Sequence, residues 1–235
     1  MACVQYEYVN GKAVIAHGAG STADFIHRAF AAPLAAVGYD VVSWDRRTPI
    51  DAAAEEFAEL VIRSGASIVG GVSVGAILAL EFAMTAAVLD GVLIALPPPD
   101  LKGTLMPEDD GGGAPHDVQA LVEEVSRDAV PWVAAEIHAA WPAYDLDALM
   151  RELRTAAVAR TPTPTELASC RVPTGIVALA DDPVHPVKVA AGWAQAMPRA
   201  AVETVQLHEP AVDVSVIGAA AVRAWQRARG LSESR

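Results

Sequence analysis

The chain of 235 residues reads as an α/β protein: a mostly parallel sheet covered by helices, interrupted once by a helical insertion. Three observations predict this. Short β-rich runs alternate with Ala-rich or amphipathic segments along most of the sequence. Several of those runs are apolar throughout, as strands buried on both faces are. The alternation stops once, between Pro97 and about Val172, where charged helical sequence intervenes.

Taken in order, strands are expected at residues 6–9, 13–16, 40–44, 67–70, 91–96, 174–180 and 202–207. Helices are expected at 22–37, 52–64, 74–88, 187–197 and 214–229. Gly38, Gly65 and Gly91 follow helical segments, where a left-handed cap favours glycine. The intervening stretch opens with Pro97-Pro98-Pro99, carries Gly111-Gly112-Gly113 and then reads as helix at 118–127, 132–140 and 146–158. Pro162 and Pro164 close it. The expected organisation is a core of residues 1–96 and 173–235 with a helical cap at 97–172, and no internal repeat.

Composition narrows the function classes. With 53% hydrophobic and 20% charged residues, the chain can bury a sizeable single core. A net charge of −12 disfavours nucleic acid and anionic membranes, which need basic patches. The two cysteines, Cys3 and Cys170, lack metal-ligand spacing and read as free thiols of a reducing compartment. Residues 65–80 are uncharged but short of the roughly 18 needed for a membrane span. The N-terminus shows no basic-then-apolar leader. A cytoplasmic protein follows as the expectation, with self-association left open.

The most specific signal is Gly71-Val72-Ser73-Val74-Gly75, a G-x-S-x-G directly after an apolar strand and before an apolar helix. A nucleophile elbow demands that context. Small residues two before and two after the serine let strand and helix approach, and the N–H of Val74 can face an acyl oxygen. A phosphate loop would need a lysine here, and none is near.

A serine hydroxyl needs a base and a group that orients the base. The apolar run 175–180 leads into Asp181-Asp182, either of which can supply the acid or cap the turn. Of six histidines, His208 alone ends the strand that follows, so position selects it as base. His185 lies on the acid's own turn, and His17 precedes the elbow. Trp132 and Trp141 of the insertion, with Leu149 and Met150, suit an apolar acyl or ring-bearing ligand, or simply pack the insertion on the core.

A rival signal is Gly18-Ala19-Gly20-Ser21-Thr22-Ala23, which fits the dinucleotide fingerprint G-x-G-x-x-G/A. Asp45 could then bind a ribose, and Arg46 and Arg47 a 2′-phosphate. Against an NAD(P)-dependent oxidoreductase, the elbow, the acid turn and the terminal histidine would all go unexplained.

Elbow, acid turn and terminal histidine together resemble the α/β-hydrolase superfamily over nearly the whole chain. The resemblance implies an α/β-hydrolase fold with a cap inserted after the strand that follows the elbow helix. It implies Ser73 as nucleophile, His208 as base and Asp182 as acid, the last because Pro186 follows it by four residues, as in the family's acid motif. It also implies that His17-Gly18-Ala19 matches the family's His-Gly-x loop, with Ala19 and Val74 as oxyanion donors. The chain departs from the pattern at Val72, at Ala76 and at Leu207, and its short N-terminal region implies a sheet lacking a strand or two. The implied chemistry is ester or thioester hydrolysis of a small-molecule acyl substrate, without metal or organic cofactor. A hydrolase fold used only to bind a ligand is the remaining alternative.

Overall fold

Strand and helix alternate because the strands are apolar on both faces and must be covered on both. The computed structural model describes residues 10–46, 48–86, 88–100 and 115–230. It opens with β1 (Gly11–Ala16), α1 (Ala23–Ala35) and β2 (Tyr39–Val42), followed by a 3₁₀ turn at Ile50–Ala52. Then come α2 (Ala54–Ser64), β3 (Ile68–Val72), α3 (Val74–Thr85) and β4 (Gly91–Ala95). Helices α4 (Val118–Ser126), α5 (Pro131–Ala140), α6 (Leu146–Ala157) and α7 (Pro164–Ser169) intervene before β5 (Thr174–Ala180). The chain closes with α8 (Val187–Ala196), β6 (Ala200–Gln206) and α9 (Ser215–Arg229).

The sheet has order β2-β1-β3-β4-β5-β6, and every neighbouring pair is parallel. Side-chain alternation sorts residues between two apolar layers. Val14, Val69, Ile176 and Ala178 face Phe57, Leu78 and Trp193, from α2, α3 and α8. Ala13, Ile15, Val177 and Leu179 face Phe30, Leu34 and Trp225, from α1 and α9. Strand order reverses at β1, whose neighbours are β2 and β3, so the switch point lies at the carboxyl ends of β1 and β3. In open α/β sheets that switch point is where ligands bind.

Most expected elements are present with ends shifted by a few residues. The strand expected at 6–9 and Arg47 lie outside the described residues. Strand β3 continues past Gly70 to Val72, running directly into the elbow. Strand β2 stops at Val42, and Trp44 instead packs on Phe57 and donates its indole N–H to Glu56 at 2.8 Å. Gly38 and Gly65 adopt the expected left-handed backbone, with φ of 87° and 68°. Gly91 does not cap a helix: it starts β4, and a Cβ there would collide with the Trp225 indole. The unexpected helix α7 starts at Pro164 behind a capping box, in which Thr163 and Glu166 satisfy each other's backbone N–H. Among the described residues no helix is long and apolar enough to cross a membrane.

Candidate active site

Strand β3 delivers Ser73 into a backbone that few non-glycine residues adopt, with φ 54° and ψ −123°. The sequence tolerates that turn because its flanks are small. A Cβ on Gly71 would strike the Gly75 carbonyl, and one on Gly75 would strike Ala16 at the end of β1. The Ser73 N–H donates to Ala95 O at 3.0 Å, tying the elbow to β4. Val74 is the first residue of α3, so its N–H has no acceptor within the helix and is free to face a ligand.

The loop after β1 lies against the elbow. A Cβ on Gly18 would sit 3.3 Å from Ser73 Cβ, which places Ala19 next to the nucleophile turn. His17, 4% exposed, supports the loop from below: its Nδ1 donates to Gly18 O at 2.8 Å. Burial, reinforced by the nearby Arg46 cation, holds the His17 pKa below the ordinary histidine value. The ring is therefore a neutral strut.

The acid turn brings the decisive contact. Asp182 Oδ1 accepts the backbone N–H groups of Val184 at 2.8 Å and His185 at 3.0 Å, curling the chain back on itself. That curl sets His185 Nδ1 3.2 Å from Asp182 Oδ2 and His185 Nε2 3.0 Å from Ser73 Oγ. A carboxylate accepts, so Nδ1 carries the proton and Nε2 is left to accept from the serine hydroxyl. Burial pushes the Asp182 carboxyl up, but the His185 ring and two backbone N–H groups outweigh it and hold the carboxyl below its ordinary value. Asp181 stands aside, exposed, with φ 61°.

Ser73 and Asp182 are thus brought together as expected, but the histidine between them is His185. His208 lies on the turn after β6, an edge strand three places from β3. Its side chain is exposed, and its backbone opens the 3₁₀ turn Glu209–Ala211. The preceding carbonyl, Leu207 O, accepts the Trp132 indole N–H at 2.8 Å, which fastens this turn to α5.

The two tryptophans both serve to seat the insertion. Trp132 makes the bond just described and packs with Leu207 and Val214. Trp141 is 6% exposed and lies over Gly20, where a Cβ would come within 2.6 Å of its Nε1. The indole therefore fills the face of the glycine turn that a pyrophosphate would need. Arg46, a candidate 2′-phosphate ligand in the dinucleotide reading, is instead buried in an ion pair with Glu152 of α6. Asp45 remains exposed.

The parallel sheet and its flanking helices are those of the α/β-hydrolase fold, and solved structures agree. An α/β hydrolase from Sphaerobacter thermophilus superposes with a TM-score of 0.61 at 20% identity, covering 92% of each chain. A hydrolase from Pseudomonas aeruginosa PA01 gives a TM-score of 0.69 at 18% identity, over 89% of this chain and 88% of that one. The enol-lactonase of Burkholderia xenovorans LB400 gives 0.59 at 14% identity, over 94% and 88%. No protein-family model matches the chain, and no curated protein does.

Proposed function

We propose that the protein is a serine hydrolase of small-molecule esters or thioesters, with Ser73 as nucleophile, His185 as base and Asp182 as orienting acid. The observation that carries this reading is the continuous line Ser73 Oγ–His185 Nε2, His185 Nδ1–Asp182 Oδ2, at 3.0 and 3.2 Å. Nucleophile, base and orienter stand within hydrogen-bond reach, as nucleophilic catalysis requires. The hydrolase and lactonase names of proteins sharing the fold point the same way.

In this mechanism His185 Nε2 takes the Ser73 proton as Oγ attacks the acyl carbon. The backbone N–H groups of Val74 and Ala19 receive the developing oxyanion, a contribution worth roughly 10²–10³ in rate per donor. His185 then gives its proton to the leaving group and takes one from the water that releases the acid. Asp182 keeps Nδ1 protonated throughout and stabilises the imidazolium. Residues 97–172 act as the cap, and the free buried thiol of Cys170 suits a reducing compartment such as the cytoplasm.

Hydrolysis of p-nitrophenyl acetate by wild type and Ser73→Ala tests the assignment. The expected loss in kcat is roughly 10³-fold or more. Full activity in Ser73→Ala would overturn it.

A further inference from the structure

The insertion touches the core beside the Ser73 turn. Two of its contacts, one polar and one aromatic, fall on residues 17–21, the loop that carries the Ala19 N–H. Tyr144 Oη donates to Ser21 O at 2.9 Å. The Trp141 indole covers Gly20, whose φ is 63°, and Leu149 of α6 would meet a Cβ there at 3.4 Å. Three residues on, Glu152 of α6 pairs with Arg46 and accepts the Ile50 N–H at 3.3 Å, fixing α6 to the segment behind His17.

The loop has little of its own to hold it. Within it Ser21 N reaches Gly18 O at a long 3.3 Å, and His17 Nδ1 braces the same carbonyl from the core side. The opposite side of the loop is braced by the insertion. An oxyanion donor must stand about 2.7–3.1 Å from the oxygen at the moment of attack, so a small displacement of this backbone is a displacement of the donor. Electrostatic stabilisation of this kind works only when the donor is held beforehand.

We infer that Tyr144 and Trp141 are positioning residues for the oxyanion loop, so that the insertion completes the catalytic centre as well as covering it. The inference rests on the serine-hydrolase reading. It predicts an effect on the transition state and not on the ground-state complex. The test compares Tyr144→Phe with Tyr39→Phe, which deletes the same phenolic oxygen from a bond to Asp90 at the opposite end of the sheet.

With p-nitrophenyl acetate, Tyr144→Phe is expected to lower kcat about tenfold while KM stays within about twofold. Inhibition by 2,2,2-trifluoroacetophenone should weaken by a similar factor, because its adduct with Ser73 places an oxyanion at the Ala19 N–H. Tyr39→Phe should change neither. Trp141→Phe, checked for folding by thermal unfolding, should repeat the kcat and inhibitor losses. If Tyr144→Phe and Trp141→Phe match Tyr39→Phe in kcat and inhibition, the positioning role is wrong. If wild-type turnover survives Ser73→Ala, the hydrolase reading fails and the inference falls with it.

Discussion

His185 Nε2 stands 3.0 Å from Ser73 Oγ across 112 positions of sequence, while His208, on the turn after the last strand, stays exposed. In the proposed triad acid and base come from one turn, Asp182 to His185, supported by two backbone bonds to the same carboxylate. The consequences can be measured.

Asp182→Asn keeps the shape of the turn but presents an amide to His185 Nδ1. The imidazole can then adopt the tautomer that carries its proton on Nε2, which leaves Nε2 unable to take the proton of Ser73. In the serine-protease precedent for this change kcat falls about 10⁴-fold. A loss on the order of 10³–10⁴ in kcat on p-nitrophenyl acetate, with the protein still folded by circular dichroism, is the expected outcome.

Acid stability should follow the same carboxylate. The folded-state pKa of Asp182 is depressed, as is that of Glu203. A depressed acid contributes stability that is present above its unfolded value and lost as pH falls through the folded one. Urea midpoints measured from pH 7 downward should therefore dip below about pH 6.5, where unfolded His17 takes up a proton that the buried neutral ring does not, and fall further below about pH 4. In Asp182→Asn the fall should be shallower.

The Arg46–Glu152 pair fastens the insertion to the core with side chains only 3% and 7% exposed. Glu152→Ala strands a buried guanidinium and the Ile50 N–H. Removing one partner of a buried pair costs about 3–5 kcal/mol. Urea denaturation should register a loss of that order, and Arg46→Met/Glu152→Met should recover much of it.

At the elbow, Gly71→Ala adds one methyl group against the Gly75 carbonyl, which is backbone and cannot step aside. Overpacking of this kind costs about 1–3 kcal/mol. Activity should fall with it, because relief requires β3 and α3 to separate at Ser73. Thermal unfolding and kcat measured on the same preparation check both.

Much of this was legible in the sequence, and the remainder was hidden for physical reasons. Fully apolar strands announced a sheet buried on both faces, and Gly71-Val72-Ser73-Val74-Gly75 announced the elbow, because both are local patterns. Asp182 was legible through its turn. His185 was not, since a histidine three residues past an aspartate becomes a base only when a third residue from a distant strand meets it. His208 had the expected position along the chain, but the Trp132 bond to Leu207 O fastens its turn under α5. Helix α7 could have been found from Thr163-Pro164-Thr165-Glu166, a capping box with proline at its first turn. The seating of Trp141 on Gly20 joins two segments whose patterns carry no trace of each other.

The central claim is that His185 activates Ser73. The most direct measurement is the rate and site of labelling by a fluorophosphonate probe, mapped by mass spectrometry in wild type, His185→Ala and His208→Ala. The account predicts labelling at Ser73 in wild type and in His208→Ala at similar rates, and a loss of roughly 10³-fold or more in His185→Ala. Labelling of His185→Ala at the wild-type rate, or its disappearance in His208→Ala alone, would contradict it.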